Sequence, residues 1–558
     1  MLRSFVQTAA FLASAIAPAA FLPAVAEAFT LTTFRLQDAT IADINLAFDS
    51  GALTSEQLVQ LYLNRIVTYD QQGPALNSLI TVNPNALQEA ILLDQQRSLV
   101  MDRSPLYGIP VIVKDNFNTF DLPTTGGVLA FDGFVPSSDA FQVQKLREAG
   151  AIILGKANLS EFAFSGSTSI SSLGGTTVNP YDPLRSPAGS SGGTGAAIAA
   201  SFATVGLGTD TGGSIRNPSA FNSLVGVRPT IGLSSRSGVI PLALSQDTAG
   251  PLTRNVLDAA LTLDATVGFD AKDPVTASSL GNIPDSYTDF LRLDGLQGAR
   301  IGVVRDLFGS NADPEFAQVN AVLDQAIATL QASGATIVDS VTIPGLSEIL
   351  ASPTLSTFEF RYDLEAYLAS EPNAPFDTLQ QIIDSGLFLP ANRSTLVARN
   401  AVPPLETNQA YQDIIQNRPQ LTQERLLTAL DGLDALLYPT SQAPPRLNTQ
   451  AQRIGSNNRL SAFSGFPAIT LPAGYTTDGL PVGMELLGRA FDEPTLLRLA
   501  YAFEQNSQVR RLPSSVPALP GEEFEYAAVP EPMTMAGMAL AGLGMTVLRR
   551  RQGKREPN

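Results

Sequence analysis

An α/β fold follows from three features of this 558-residue sequence. Short β-branched runs alternate with helical periodicity, two Gly/Ser turns sit between strand and helix signals, and the composition suits a large core. Apolar residues make up 44% and charged residues 16%, a globular balance in a chain long enough for one large core or two to three domains. Residues 36–69 carry apolar positions at helical spacing (Ile41, Ile44, Ala47, Phe48, then Leu58, Leu61, Tyr62, Ile66), with a helix start at Thr54-Ser55-Glu56. Gly108-Ile109-Pro110-Val111-Ile112-Val113 predicts a buried strand. Residues 143–149 predict a helix, residues 151–155 the next strand, residues 194–203 an Ala-rich helix and residues 204–207 a strand. Arg300-Ile301-Gly302-Val303-Val304 restarts the pattern, residues 344–447 read as mostly helical, and residues 517–525 read as an exposed linker.

The two ends read as addresses. Arg3 and an apolar, Ala-rich run to Ala26 precede the small-x-small patterns Ala24-Val25-Ala26 and Ala26-Glu27-Ala28, a secretory signal peptide over residues 1–28. Val529-Pro530-Glu531-Pro532 precedes an apolar stretch, residues 533–548, and Arg549-Arg550-Arg551. That stretch is short for a span, and the arginines behind it favour the cytoplasmic face. The three parts resemble the PEP-CTERM sorting signal of Gram-negative bacteria. The resemblance implies an exosortase-type processing partner, transient membrane contact through the tail, and delivery outside the cytoplasm. The expected divisions are therefore residues 1–28, a body over 29–520, a linker over 521–532 and a sorting segment over 533–558.

Absences narrow the chemistry. The chain has no Cys, His or Trp. A thiol nucleophile, a Ser–His–Asp triad and the usual zinc sites are excluded. The formal net charge of −17 disfavours a phosphate backbone, so no nucleic-acid partner is expected. A base must come from Lys, Asp, Glu or Tyr, and the body's lysines are Lys114, Lys145, Lys156 and Lys272.

Two segments concentrate Gly and Ser: Ser186-Pro187-Ala188-Gly189-Ser190-Ser191-Gly192-Gly193 and Gly208-Thr209-Asp210-Thr211-Gly212-Gly213-Ser214-Ile215-Arg216. Such turns gather backbone N–H groups into one concavity beside a hydroxyl, the requirement for stabilising an oxyanion during acyl transfer. Neither segment is a Walker loop or Gly-x-Gly-x-x-Gly. Gly-x-Ser-x-Gly occurs around Ser191, but an α/β-hydrolase elbow needs a His. Lys114 follows an apolar strand, where desolvation disfavours the ammonium and frees the amine to accept a proton. Lys145 sits among Arg147 and Glu148 as a solvated charge, and Lys272 lies in a polar loop. Lys156, also after a strand, is as readily structural as catalytic.

Together with Lys114-Asp115-Asn116, these segments resemble the amidase signature family. Val225-Gly226-Val227-Arg228-Pro229-Thr230, Gly238-Val239-Ile240-Pro241, Phe466-Pro467-Ala468-Ile469-Thr470-Leu471-Pro472-Ala473-Gly474 and Gly479-Leu480-Pro481-Val482-Gly483 extend it. The similarity spans roughly residues 36–505 and is weakest from about 273 to 460. It implies one large domain with a mixed, twisted sheet covered by helices on both faces. It also implies Lys114 as base, Ser190 as a bridging serine on a cis peptide bond, and Ser214 as acylated nucleophile. Thr211, Gly212 and Gly213, with the Ser214 N–H, match the oxyanion donors. Ala188 and Arg228 stand where relatives carry Gly and Lys.

The expected activity is hydrolysis of linear carbon–nitrogen amide bonds through an acyl-enzyme, with no metal or organic cofactor. Pro241-Leu242, Ser245-Gln246-Asp247-Thr248 and Gly250-Pro251 resemble bacterial peptide amidases, which deamidate peptide C-termini; a small-molecule or peptide amide is the expected substrate, with fatty-acid and small aliphatic or aryl amides left open because the pocket is lined from the divergent central region. Two alternatives are a glutamyl-tRNA amidotransferase A subunit, disfavoured by the leader and the acidic charge, and a non-catalytic surface protein on the same scaffold, disfavoured by the intact Lys114, Ser190 and Ser214.

Overall fold

The computed structural model describes residues 31–527. The signal peptide and the sorting segment expected at the two ends lie outside the described residues. Residues 33–526 form one compact unit. Its centre is a mixed sheet of β1 (Leu79–Val82), β2 (Pro110–Lys114), β3 (Ile152–Ala157), β4 (Val205–Asp210), β5 (Val225–Arg228), β6 (Thr248–Thr253), β7 (Arg300–Val303), β8 (Thr336–Val338), β9 (Ala435–Pro439), β10 (Ala468–Tyr475) and β11 (Pro481–Leu487). The spatial order is β8-β7-β9-β11-β10-β5-β6-β4-β2-β3-β1. The expected α/β class and mixed sheet are observed.

β2 pairs in parallel with β3 on one side and β4 on the other. Every residue of these three strands is buried, as helix-covered parallel strands require. That burial explains their continuous apolar runs, and it makes the two lysines at their ends, Lys114 and Lys156, expensive to place. The helix Gly192–Ala199 is wholly buried too; a Cβ on Gly193 would come within 2.1 Å of the Asn158 carbonyl oxygen, so glycine permits the close approach. Between β4 and β5 the short helix Arg216–Phe221 follows the second Gly/Ser turn.

Three expectations are refined. Residues 36–69 divide into helices Ile41–Asp49 and Ser55–Arg65, each opened by a capping box on Thr40 or Thr54. The mostly helical region also contains β9, whose run Ala435-Leu436-Leu437-Tyr438-Pro439 is fully buried between β7 and β11.

The expected linker over residues 521–532 is corrected at its start. Glu523–Ala527 is a strand paired with Leu31–Arg35, and Phe524 stacks on Phe34 at 4.9 Å between ring centroids. Glu522 meets the buried Arg65 guanidinium at 2.8 Å. A buried cation needs its carboxylate, so the packed unit ends near Tyr526 rather than at Pro520. Among the described residues no helix is long and apolar enough to cross a membrane.

Candidate active site

The C-terminal ends of β2 and β4 deliver the site. Lys114 is the last residue of β2 and has no exposed surface. Its Nζ lies 2.7 Å from Ser190 Oγ and donates to Thr209 Oγ1 at 2.7 Å. Thr209, on β4, also accepts from Asn116 Nδ2 at 3.1 Å. Burial lowers the Lys114 pKa to about 7, although Asp247 and Asp210 pull it upward. Neither of those carboxylates forms an ion pair with it. A half-neutral amine facing a serine hydroxyl can take its proton.

Ser190 is buried and follows a cis peptide bond from Gly189, as the resemblance implies. The neighbouring Ser191 is committed elsewhere: its N–H donates to the Ser214 carbonyl at 3.2 Å and its hydroxyl to the Thr209 carbonyl at 3.3 Å. Ser214 retains 5% of its surface exposed, and its hydroxyl has no hydrogen-bond partner among the described residues. The structure thus joins Lys114 to Ser190 directly and brings Ser214 beside them through the Ser191 backbone.

The turn from Thr211 to Ser214 is shaped by a buried carboxylate. Asp210 accepts from the N–H groups of Gly213 (2.7 Å) and Ile215 (3.1 Å), from Arg216 Nε (3.1 Å) and from Arg228 Nη1 (3.1 Å). Burial alone would raise the Asp210 pKa; Arg216 and Arg228 overcome it and hold the group well below the usual carboxylate range. Arg216 also pairs with Glu485 at 2.5 Å, and the Tyr438 hydroxyl donates to Glu485 at 3.0 Å. Two guanidiniums against two carboxylates leave this buried cluster neutral.

One expectation changes as a result. Gly213, at φ +118°, has its N–H engaged by Asp210, so it positions the turn rather than facing a substrate. The N–H groups of Thr211, Gly212 and Ser214 have no partner among the described residues and remain available. Thr211 is itself anchored: its hydroxyl donates to Asp247, and its carbonyl accepts from Gln246 Nε2 at 3.0 Å.

Lys156, the other buried lysine, belongs to the scaffold. It pairs with Asp115 at 3.2 Å and donates to the Thr124 hydroxyl (2.7 Å), the Pro123 carbonyl (2.9 Å) and the Thr119 hydroxyl (3.1 Å). Lys145 pairs with Glu148 on an exposed face, as expected. Sequence reading passed over Thr209, Asn116, Gln246 and Glu485. Thr209, on β4, and Asn116, two residues past the end of β2, lie inside the motifs themselves, where attention to the hydroxyl and amide beside Lys114 would have found them. Glu485 carries no local signal, because its role depends on Arg216.

The profile of the family described as Amidase matches residues 57–497. The chain belongs to the amidase family. A probable amidase of Arabidopsis thaliana is 36% identical over 499 residues, 87% of this chain and 93% of the relative. The A subunit of glutamyl-tRNA(Gln) amidotransferase from Thermosynechococcus vestitus is 36% identical over 482 residues, 81% and 95% of the two chains. Among solved structures, the peptide amidase of Stenotrophomonas maltophilia aligns with a TM-score of 0.77 and 38% identity, covering 85% of this chain and 98% of that one. The amidase signature resemblance read from the motifs is thereby established for the family.

Proposed function

We propose that the protein hydrolyses linear amides through Ser214, Ser190 and Lys114. The observation that carries this reading is the buried Lys114 amine, 2.7 Å from Ser190 Oγ with its pKa near 7 and no ion-pair partner. Neutral Lys114 accepts the Ser190 proton while Ser190 accepts that of Ser214, whose oxygen attacks the amide carbon. The resulting oxyanion is received by the N–H groups of Thr211, Gly212 and Ser214. Return of the proton through Ser190 releases ammonia or an amine, and water then cleaves the acyl-enzyme.

Peptide C-terminal amides are the favoured substrate class, supported by the peptide amidase neighbours and the resemblance in residues 241–251. The likeness to amidotransferase A subunits supports a second reading, ammonia transfer beside tRNA, but the charge of −17 opposes it. Export and exosortase processing belong to the same proposal and rest on the terminal segments. Labelling with a fluorophosphonate and peptide mapping tests the assignment: Ser214 should carry the label, and a label on Ser191 would refute it. Recovery of the mature protein from the cytoplasm would refute export.

A further inference from the structure

Gly212 carries one of the free backbone donors of the catalytic turn and is itself held by little. It is exposed, and a Cβ built on it would meet nothing within 4 Å. A glycine in open space turns readily about both of its backbone bonds, so the aim of its N–H depends on what grips the two flanking peptide groups. The Gly212–Gly213 peptide is held by Asp210, which accepts from the Gly213 N–H at 2.7 Å. The Thr211–Gly212 peptide is held by Gln246, whose Nε2 donates to the Thr211 carbonyl at 3.0 Å. Asp247 anchors the Thr211 hydroxyl, a contact that leaves the orientation of that peptide plane to Gln246.

Gln246 is locked in turn. It is buried, and its Oε1 accepts from Arg418 Nη2 at 3.0 Å and from the N–H of Leu355, the N-cap residue of helix Ser356–Ser370, at 2.9 Å. Two donors on one side fix which end of the amide is oxygen, so its nitrogen must face Thr211. Burial lowers the Arg418 pKa to about 10, so the guanidinium is charged at neutral pH and polarises the Gln246 amide toward stronger donation. The bond from Thr211 to Gly212 is trans, and across a planar trans peptide the carbonyl and the N–H point in opposite directions. We propose that Gln246 is a positioning residue of the oxyanion site: its grip on the Thr211 carbonyl aims and polarises the Gly212 N–H that receives the oxyanion formed at Ser214. The role rests on hydrolysis at Ser214, and it explains how an exposed glycine there keeps its N–H directed.

Steady-state kinetics on one hydrolysed amide above pH 8 compare the parent with Gln246→Met and Gln246→Glu. The Met variant is neutral and lacks the donor. The Glu variant keeps an acceptor for Arg418 and Leu355, which guards the fold, but sets an oxygen against the Thr211 carbonyl. Both should lower kcat about 10- to 100-fold, less than the roughly 10²–10³-fold cost of deleting an oxyanion donor, with KM within about threefold of the parent. Crystal structures of both variants should show the Thr211–Gly212 peptide rotated. Parent-like kcat in both variants, a change confined to KM, or an unmoved peptide plane would overturn the inference. A parent that hydrolyses no amide and leaves Ser214 unlabelled by a fluorophosphonate would overturn the proposed function instead, and the peptide plane in the variants would still decide whether Gln246 holds the turn.

Discussion

Lys114, the last residue of β2, and Lys156, the last but one of β3, sit on neighbouring parallel strands one register step apart, Lys114 opposite Ala157 and Lys156 opposite Val113. Both are fully buried, and burial lowers the pKa of both. They differ in company. Lys156 faces Asp115 and three further oxygens, an arrangement that stabilises the ammonium and leaves no lone pair to accept a proton. Lys114 faces two hydroxyls. Burial therefore does not identify a catalytic lysine; the identity of its partners does.

The largest expected effect is on activity at Lys114. Lys114→Ala should lower kcat/KM by roughly 10²–10⁴-fold, the usual contribution of a general base. Lys114→Arg should do no better, because a guanidinium stays protonated. Steady-state kinetics on any hydrolysed amide decide this.

Lys156 should fail differently. Lys156→Met leaves Asp115 buried beside an apolar group and should cost about 3–5 kcal/mol of stability, read from urea unfolding. Adding Asp115→Asn should recover part of that loss, since the orphaned charge is gone. A stable Lys156→Met with activity reduced as in Lys114→Ala would invert the comparison.

The Arg65–Glu522 pair repeats the Lys156 lesson at the periphery. Truncation after Pro520 removes Glu522 and strands the Arg65 guanidinium, so it should destabilise by a comparable few kcal/mol. Truncation after Ala527 should not. Comparison of the two melting curves checks this directly.

The smallest effect is expected at Ala188, in the left-handed region at φ 62°. Ala188→Gly should be neutral to about 1 kcal/mol stabilising by relieving that conformation, with kinetics close to the parent. A loss above 1 kcal/mol would show that the contact of its methyl with Ala220 and Phe221 outweighs the backbone strain.

Legibility in the sequence followed the range of each interaction. Lys114, Ser190 and Ser214 were readable because strand, turn and glycine signals surround each within a few residues. Lys156 stayed ambiguous because its partners Asp115, Thr119 and Thr124 come from the segment after another strand, whose path is set only by folding. The N–H of Gly213 was misjudged for a similar reason: the motif places it in the turn, but the ionised Asp210, held by Arg216 and Arg228, claims it. Glu522 looked like linker because Arg65, far away in the chain, determines its burial.

The central claim is that Lys114 acts as a neutral base. Its folded pKa of about 7 lies below the unfolded value of about 10.4, so the active neutral form is lost as pH falls through 7. The pH dependence of kcat/KM between pH 5 and 9 is the most direct test. One acid limb should appear with a midpoint near 7 and a plateau above pH 8. A flat profile across that range, or a Lys114→Arg enzyme retaining parent-like activity, would contradict the account.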